Sequence, residues 1–351
     1  MTGRTSGTGP SGWKIPSAPH ARVGEMGVEE VTDAFLTPVK RGRLRTLARP
    51  DQWLRGAVHD ADGRLVVSSQ KLGGLGGNQL VMADPARVPV RPKAGRLGGT
   101  WLYGGHWIGH FGHFFTETVT TLWPDDAALG TPRSELQGIV FHSYSNRFRG
   151  ISSWQDQLMG LTAYAGARIE VIDSDPRNVE RLLVPTRSVV VNGWAEAEAV
   201  SVWRGMATAA GAAPTLDPSG PRVFFSRTAF NADQRVLEKY VRTSAERARA
   251  LDATFAAAGF DVVAPESLSI LDQLRLAAGA SVLAGSAGTA LHLSAFAPAG
   301  VRVLELGDDR SPDVQVPHQL VVDAAREHPS AFVPYDVTPD RLPGVLGALG
   351  L

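Results

Sequence analysis

Between residues 138 and 306 the chain alternates short apolar runs with segments of helical period, and this alternation constrains the fold more than any other feature. Runs at 138–141, 168–172, 181–184 and 188–191 surround a periodic segment at 152–165, and a helix is expected over 196–210. After a proline- and glycine-bearing break at 212–221 the alternation is cleaner. A strand at 222–226, a helix over 234–258, a strand at 261–264, a helix over 268–278 and a strand at 281–284 lead to a turn at 285–288, a short helix to 296 and a strand at 301–306. Parallel strands joined by crossover helices produce this pattern, and the second half reads as a doubly wound sheet. Residues 23–99, with turn signals such as Asp62-Gly63 and the glycine-rich 73–77, read as strand and loop.

The class is therefore α/β, with a boundary at the break. The expected organisation is a loose, disordered tail over 1–21, a first domain over 22–211, a linker over 212–221 and a second domain over 222–325. The closing segment 326–351, weakly amphipathic over 340–349, is a candidate to pack back on the first domain. At 351 residues, 43% hydrophobic and 20% charged, the chain is long enough for two cores. Thirty-five basic and thirty-five acidic residues cancel, so no global positive field draws nucleic acid or an anionic membrane. Without cysteine there is no disulfide, thiolate nucleophile or sulfur-ligated zinc. No apolar run marks a signal peptide or membrane helix, so the expectation is a cytoplasmic enzyme, with a place peripheral to the membrane left open.

Residues 101–123 hold the first candidate site. His106, His110, His113 and Glu117 stand at gaps of 4, 3 and 4 residues. A helix from about residue 111 turns roughly 100° per residue, which brings His110, His113 and Glu117 to one face and Phe111, Phe114, Phe115, Thr118 and Leu122 to another. Groups able to exchange a proton, set beside glycines that admit a ligand to the backbone, favour a site. Two other readings stay open. Any one histidine can be a hydrogen-bonded core residue, and the four together can ligate zinc or iron, giving a metal-dependent hydrolase or oxygenase.

The second candidate is the strand, glycine turn and helix of 281–296. Backbone N–H groups of Gly285, Ser286, Ala287, Gly288 and Thr289 would face an anion such as phosphate at the helix start, with His292 one turn on. Alone, Gly285 and Gly288 read as a structural tight turn before they read as a phosphate site, with Ser286 and Thr289 as helix caps, since the third glycine of a dinucleotide fingerprint and the lysine of a P-loop are absent. Arg227, just past a strand's carboxyl end, has a donor fork suited to a diphosphate, although taken alone it reads first as an ordinary surface ion pair. Glu266 lies at another strand end, open to a ribose contact or a first-turn role. Asp173-Ser174-Asp175 before Pro176 reads as a polar turn before it reads as a metal-binding pair, and Asp125-Asp126 and Asp308-Asp309 read the same way.

Together these residues resemble glycosyltransferase family 61. Tyr103-Gly104-Gly105, then His110-Phe111-Gly112-His113-Phe114-Phe115-Thr116-Glu117, then Leu122-Trp123 are similar to the family's first signature. Val223 to Arg227, then Pro265-Glu266 with Leu268-Ser269 and Gln273, then 285–296 follow in the family's order. Three positions depart from it: Thr121 and Thr228 stand where arginines are usual, and Ser286 where many members have histidine. Each loss would weaken phosphate binding, or the phosphate would rest more on Arg227, Arg235 and the helix N-terminus. The resemblance implies a GT-B-like fold, two Rossmann-like domains facing across a cleft. It also implies inverting transfer from a nucleotide-sugar donor to a glycan or glycolipid-type acceptor, without a metal or other cofactor, and with Glu117, His113 or His110 as the base. A sugar- or nucleotide-binding protein without turnover is the non-enzymatic alternative.

Overall fold

The computed structural model describes residues 12–22, 24–38, 56–73, 79–80, 94–144, 148–212, 215–233 and 241–351. The chain divides into two compact units, one of residues 19–206 and one of 207–351 with the described residues up to 18. Each carries its own principal sheet, and the α/β class holds in both.

In the first unit the strands are β1 Val28–Leu36, β2 Val58–His59, β3 Leu72–Gly73, β4 Gln79–Leu80, β5 Gly95–Trp107, β6 Gly138–Ser143, β7 Ile169–Ile172, β8 Arg177–Pro185, β9 Val189–Val190 and β10 Trp194–Ala195. Six form one sheet in the order β2-β1-β8-β5-β6-β7. Strands β8, β5, β6 and β7 are parallel, whereas β1 runs antiparallel to both β2 and β8. The region read only as strand and loop thus supplies an antiparallel edge. The run expected at 188–191 leaves this sheet and pairs with β10 alone. Trp101, Tyr103, Val140, Val179, Leu182 and Val184 share one buried cluster, which anchors the carboxyl half of β5.

From that strand the chain enters the histidine segment, expected as one regular helix. It is helical over 111–122 but changes pitch twice: a single α turn at Phe111–His113, a π turn at Phe114–Thr118 and a 3₁₀ turn at Val119–Leu122. Four threonines account for the irregularity. Thr116 Oγ1 donates to the Gly112 carbonyl, Thr118 Oγ1 to His106, Thr120 Oγ1 to Thr116, and Thr121 Oγ1 to both Thr118 and Gly104. Hydroxyls that take main-chain acceptors compete with the helical ladder and bend it. The apolar face forms as the periodicity requires: Phe114, Phe115, Thr118 and Leu122 are buried, and Trp203 Nε1 donates to the Phe115 carbonyl at 2.9 Å.

The second unit holds β11 Arg222–Phe225, β12 Asp261–Val263, β13 Val282–Ser286, β14 Arg302–Leu306 and β15 Ser330–Val333, all parallel, in the order β12-β11-β13-β14-β15. The order reverses at β11 and β13, because the connection from β11 leads outward to β12 whereas later strands add on the other side. Ligands of open α/β sheets bind where such a reversal parts the crossovers, beyond the carboxyl ends of the strands. The helices between and after these strands are Thr228–Ala232, Ala245–Ala257, Ile270–Gly279, Pro317–Ala325 and Leu342–Ala348.

The closing segment 326–351 belongs to this unit. β15 pairs with β14, and Leu342, Leu346 and Leu349 join the cluster of Phe224, Phe255 and Val282, because the sheet otherwise lacks both its last strand and part of its apolar cover. Trp13 Nε1 donates to the Leu349 carbonyl at 2.8 Å and Lys14 bridges Ser330; residues 1–11 lie outside the described residues. The same holds for 213–214 of the expected linker, 234–240 of the expected helix and most of the 73–77 turn.

Phe255 is fully buried, stacked on Phe224 at 4.0 Å between ring centroids and edge-on to Phe260 at 5.0 Å. Phe255→Ala should lower the unfolding free energy by about 3–5 kcal/mol in urea titrations. A loss below about 1 kcal/mol would show that the stack is not what joins helix 245–257 to the sheet.

Candidate active site

In the first unit, β5 delivers the chain to the sheet's carboxyl edge and the helical segment starts there. His110, exposed, precedes the α turn, and its ring lies 5.0 Å from that of His113. One turn on, His113 Nδ1 and Glu117 Oε1 are 2.5 Å apart. The spacing thus brings His110, His113 and Glu117 together, with Glu117 inside the π turn. Such turns often occur at functional sites because they re-aim a side chain without ending the helix.

Glu117 is held on both sides. Its second oxygen, Oε2, meets Lys71 Nζ in an ion pair. The side chains of Glu117 and Lys71 are 8% and 12% exposed, against 39% for His113. Burial pushes the Lys71 ammonium down to about 7, and the nearby Arg187 charge adds to the shift. Lys71, His106, Ile108, Glu117, Arg187 and Val189 line one small recess.

His106 stands apart from its expected companions. It is buried on β5, and its Nδ1 lies 3.1 Å from Arg187 Nη2, which also reaches the Ser69 carbonyl at 3.4 Å. Since a guanidinium only donates, His106 Nδ1 is the acceptor. Arg187 itself is buried, and burial lowers its pKa. Gly105 makes its approach possible: φ is +81°, a region costly to other residues, and a Cβ there would fall on the guanidinium. Gly104 has a parallel reason, since its Cβ would strike the Phe141 ring. Beside them His142 is fully buried, with Tyr103 Oη 2.9 Å from its Nδ1 and the Thr37 carbonyl 2.9 Å from its Nε2. Nε2 carries the proton for the carbonyl, so Nδ1 accepts from the tyrosine.

In the second unit the reversal of strand order sets Arg227 beside the glycine turn, although some sixty residues separate them. Phe225 pairs with Gly285, so the chains leaving β11 and β13 start side by side. A Cβ on Gly288, where φ is +141°, would lie 2.8 Å from Arg242 Nη1 and 3.9 Å from Arg227 Nη1. Arg242 donates to the Ala287 carbonyl at 2.8 Å and pairs with buried Asp308 at 3.5 Å. Burial lowers Arg242 to about 10, helped by repulsion from Arg310 and Arg227 and opposed by Asp308. Burial also lowers Arg227, while Asp308 and Glu266 pull it up. Three guanidiniums around one carboxylate leave an excess of positive charge, suited to a diphosphate.

That charge does not come from a helix end. Gly285 and Ser286 finish β13, Ala287 is buried with its N–H on the Leu306 carbonyl, and the helix expected from Thr289 is a six-residue 3₁₀ turn, Leu291–Phe296. So short a turn sums few peptide dipoles. His292 is buried, its Nδ1 2.7 Å from Gln319 Oε1 and its ring 4.1 Å from His318. Glu266 is exposed in the 3₁₀ turn Pro265–Ser267. Thr228 is turned to packing, donating with Ser226 to Asp252 at 2.7 and 2.9 Å. Arg235 lies outside the described residues.

Sequence reasoning missed Lys71, Arg187, His142 and Arg242. Arg187 carried the signal that singled out Arg227, a cation just past an apolar strand. Lys71 and Arg242 carried none, because their partners are 46 and 66 residues away. Among the described residues no three His, Asp or Glu side chains converge to hold a metal ion: His106 is turned to Arg187 rather than to His110 and His113. Asp173-Ser174-Asp175 forms the bend between β7 and β8, Asp125 caps the short helix Asp126–Leu129, and Asp308 accepts from the N–H groups of Arg310 and Ser311. Among the described residues no helix is long and apolar enough to cross a membrane.

The family model described as Glycosyltransferase 61 matches residues 111–304, more than half of the chain and parts of both units. No curated protein matches the chain.

Burial drives the His142 imidazolium down to about 3 against the raising effect of the Thr37 carbonyl, with His59 and Arg187 adding repulsion. Between 6.5 and about 3 the unfolded chain binds a proton that the folded chain refuses, so the stability contributed by neutral His142 is complete above 6.5 and is lost as pH falls. Buried His328 in the second unit acts with the same sign. The unfolding free energy should fall on acidification through this window, and less steeply in His142→Asn. A slope as steep in the variant as in the parent would show that His142 takes up its proton in the folded state.

Proposed function

The chain belongs to glycosyltransferase family 61, and from that membership we propose that it is an inverting enzyme that moves a sugar from a nucleotide-sugar donor to a hydroxyl of a glycan-type acceptor, with His113 as the general base. The observation that carries the choice of base is the state of Glu117. Both of its oxygens are engaged, one by His113 and one by Lys71, and its side chain is nearly sealed from solvent, whereas more than a third of His113 is open. A carboxylate so placed orients an imidazole and stabilises its charged form, as in the carboxylate–histidine pairs of hydrolases. Glu117 accepts from Nδ1–H, and Nε2 takes the proton. His110, exposed beside His113, is then available to the acceptor.

The acceptor oxygen attacks the anomeric carbon from the face opposite the leaving group. As the new C–O bond forms, its proton passes to His113 Nε2. The bond from the anomeric carbon to the phosphate oxygen breaks, its electron pair leaves with the nucleoside diphosphate, and the sugar's configuration inverts. Negative charge grows on the diphosphate, which Arg227 and Arg242, with Arg310, are placed to compensate at the reversal of the second sheet. In this scheme the compensation is guanidinium charge rather than a metal ion. Gly285 to Thr289 then serve as a close-packed floor that admits a phosphate, and Glu266 is available to a ribose hydroxyl. The GT-B reading gives acceptor and base to residues 19–206 and the donor to 207–351.

Thermal shift with UDP, GDP, CDP and ADP tests the donor half: one of them should raise the melting temperature. In Arg227→Ala its affinity should fall about 10- to 150-fold, the worth of a charged hydrogen bond. His113→Ala and Glu117→Gln should keep that shift yet lose about 10²–10⁴-fold in transfer. Undiminished transfer in both would refute the assignment of the base.

A further inference from the structure

We propose that Lys71 is a positioning residue for proton acceptance: seated on the far oxygen of Glu117, it sets, through that carboxylate, how firmly His113 holds a proton. The inference rests on the reading of His113 as the base and adds a residue outside the span matched by the family model.

Three observations carry it. The contacts form a continuous line, Lys71 Nζ to Glu117 Oε2 and Glu117 Oε1 to His113 Nδ1, so any charge that Lys71 draws from the carboxylate is charge withheld from the imidazole. The line is shielded from water at its inner end and open at its outer end: Lys71 and Glu117 are nearly buried, and His113 reaches solvent. Shielding matters because the interaction of two charges grows as water is excluded between them. Finally, Lys71 is not balanced by Glu117 alone. Arg187 and His106 line the same recess, and the Tyr144 ring lies 6.0 Å from Nζ. Arg187 adds a second positive charge behind the lysine, which makes its ammonium easier to deprotonate.

A lysine that served only to neutralise a buried carboxylate would hold its proton tightly. Here burial and Arg187 bring Lys71 down to about 7, so its charge is lost within the range in which an imidazole works. With Lys71 charged, Glu117 is shared between two cations and supports the imidazolium weakly. With Lys71 neutral, the whole carboxylate charge faces His113, which then becomes the stronger base. Two groups joined through one carboxylate titrate together, each step belonging to the set.

The test follows nitrogen titrations in the full chain by ¹⁵N NMR, with no need of a donor. In the parent protein, Lys71 Nζ should titrate near 7, and the same step should appear in the His113 ring shifts. In Lys71→Met the His113 midpoint should rise by about one pH unit, the size of shift a charge at this range produces, whereas Lys71→Arg, whose charge is not lost, should leave it at or below the parent value. An unchanged or lowered midpoint in Lys71→Met overturns the proposal. If that variant does not fold, the parent protein still decides, since a Lys71 ammonium that keeps its proton above pH 10 overturns it too. Failure here is separable from failure of the base assignment. An unmoved midpoint together with transfer lost in His113→Ala sinks the role of Lys71 alone, whereas a moved midpoint with transfer intact in His113→Ala supports the coupling and rejects the base.

Discussion

A carboxylate taken out of water must be matched by positive charge, and in the first unit the arrangement around the helical segment follows from matching Glu117. The match comes from Lys71, drawn from a stretch before the sheet's long strand, and from His113 one turn back on the same segment. Bringing Lys71 inward also brings it near Arg187, so the recess holds two cations whose mutual repulsion has to be managed. Arg187 is steadied by the Ser69 carbonyl and by His106, and its path is cleared by Gly105, which alone can take the left-handed backbone and leave out a side chain. Removing charge balance at one point would therefore be felt at several, since buried ions of this kind are costly when left alone.

The second unit meets a comparable requirement with the opposite sign. Its candidate site is a collection of guanidiniums around one buried carboxylate, and its location is a consequence of strand order. Where β11 and β13 neighbour each other, their crossovers depart to different sides and leave space above their carboxyl ends. Arg227 follows β11 and the glycine turn follows β13, so the two are adjacent for topological reasons. Arg242 fixes the turn from below through the Ala287 carbonyl, and Asp308 keeps three positive groups from dispersing one another. The charge is carried by side chains, because the following 3₁₀ turn is too short to contribute a useful dipole.

Much of this was legible in the sequence wherever one local period decides the outcome. Each strand expected from 222 to 306 has a counterpart among the described residues, because in a doubly wound half the apolar runs are buried; of the helices, 268–278 has one nearly whole, 234–258 only from Ala245 on, and the last is a 3₁₀ turn. The face shared by His113 and Glu117 was legible for the same reason. What could not be read was pitch: four threonines competing for main-chain acceptors turned one expected helix into three kinds of turn. The antiparallel edge made by β1 and β2 was also hidden, since buried and exposed positions do not alternate cleanly along β1 and β2 is only two residues long. His106 belonged by spacing to the histidine series, yet it sits on a strand, where side-chain direction alternates and the helical interval loses its meaning.

By itself the sequence determined the α/β class, the family, and the residues of the 110–117 segment that gather on one side, all of which depend on neighbours within a few residues or on a fixed order of motifs. Only the tertiary structure decided which groups face one another across long separations: Lys71 with Glu117, Arg187 with His106, Arg242 with the turn at Gly288, and the closing segment with β14. The physical reason is that electrostatic matching and strand pairing act through space once the chain has collapsed, and neither leaves a periodic trace in the order of the residues.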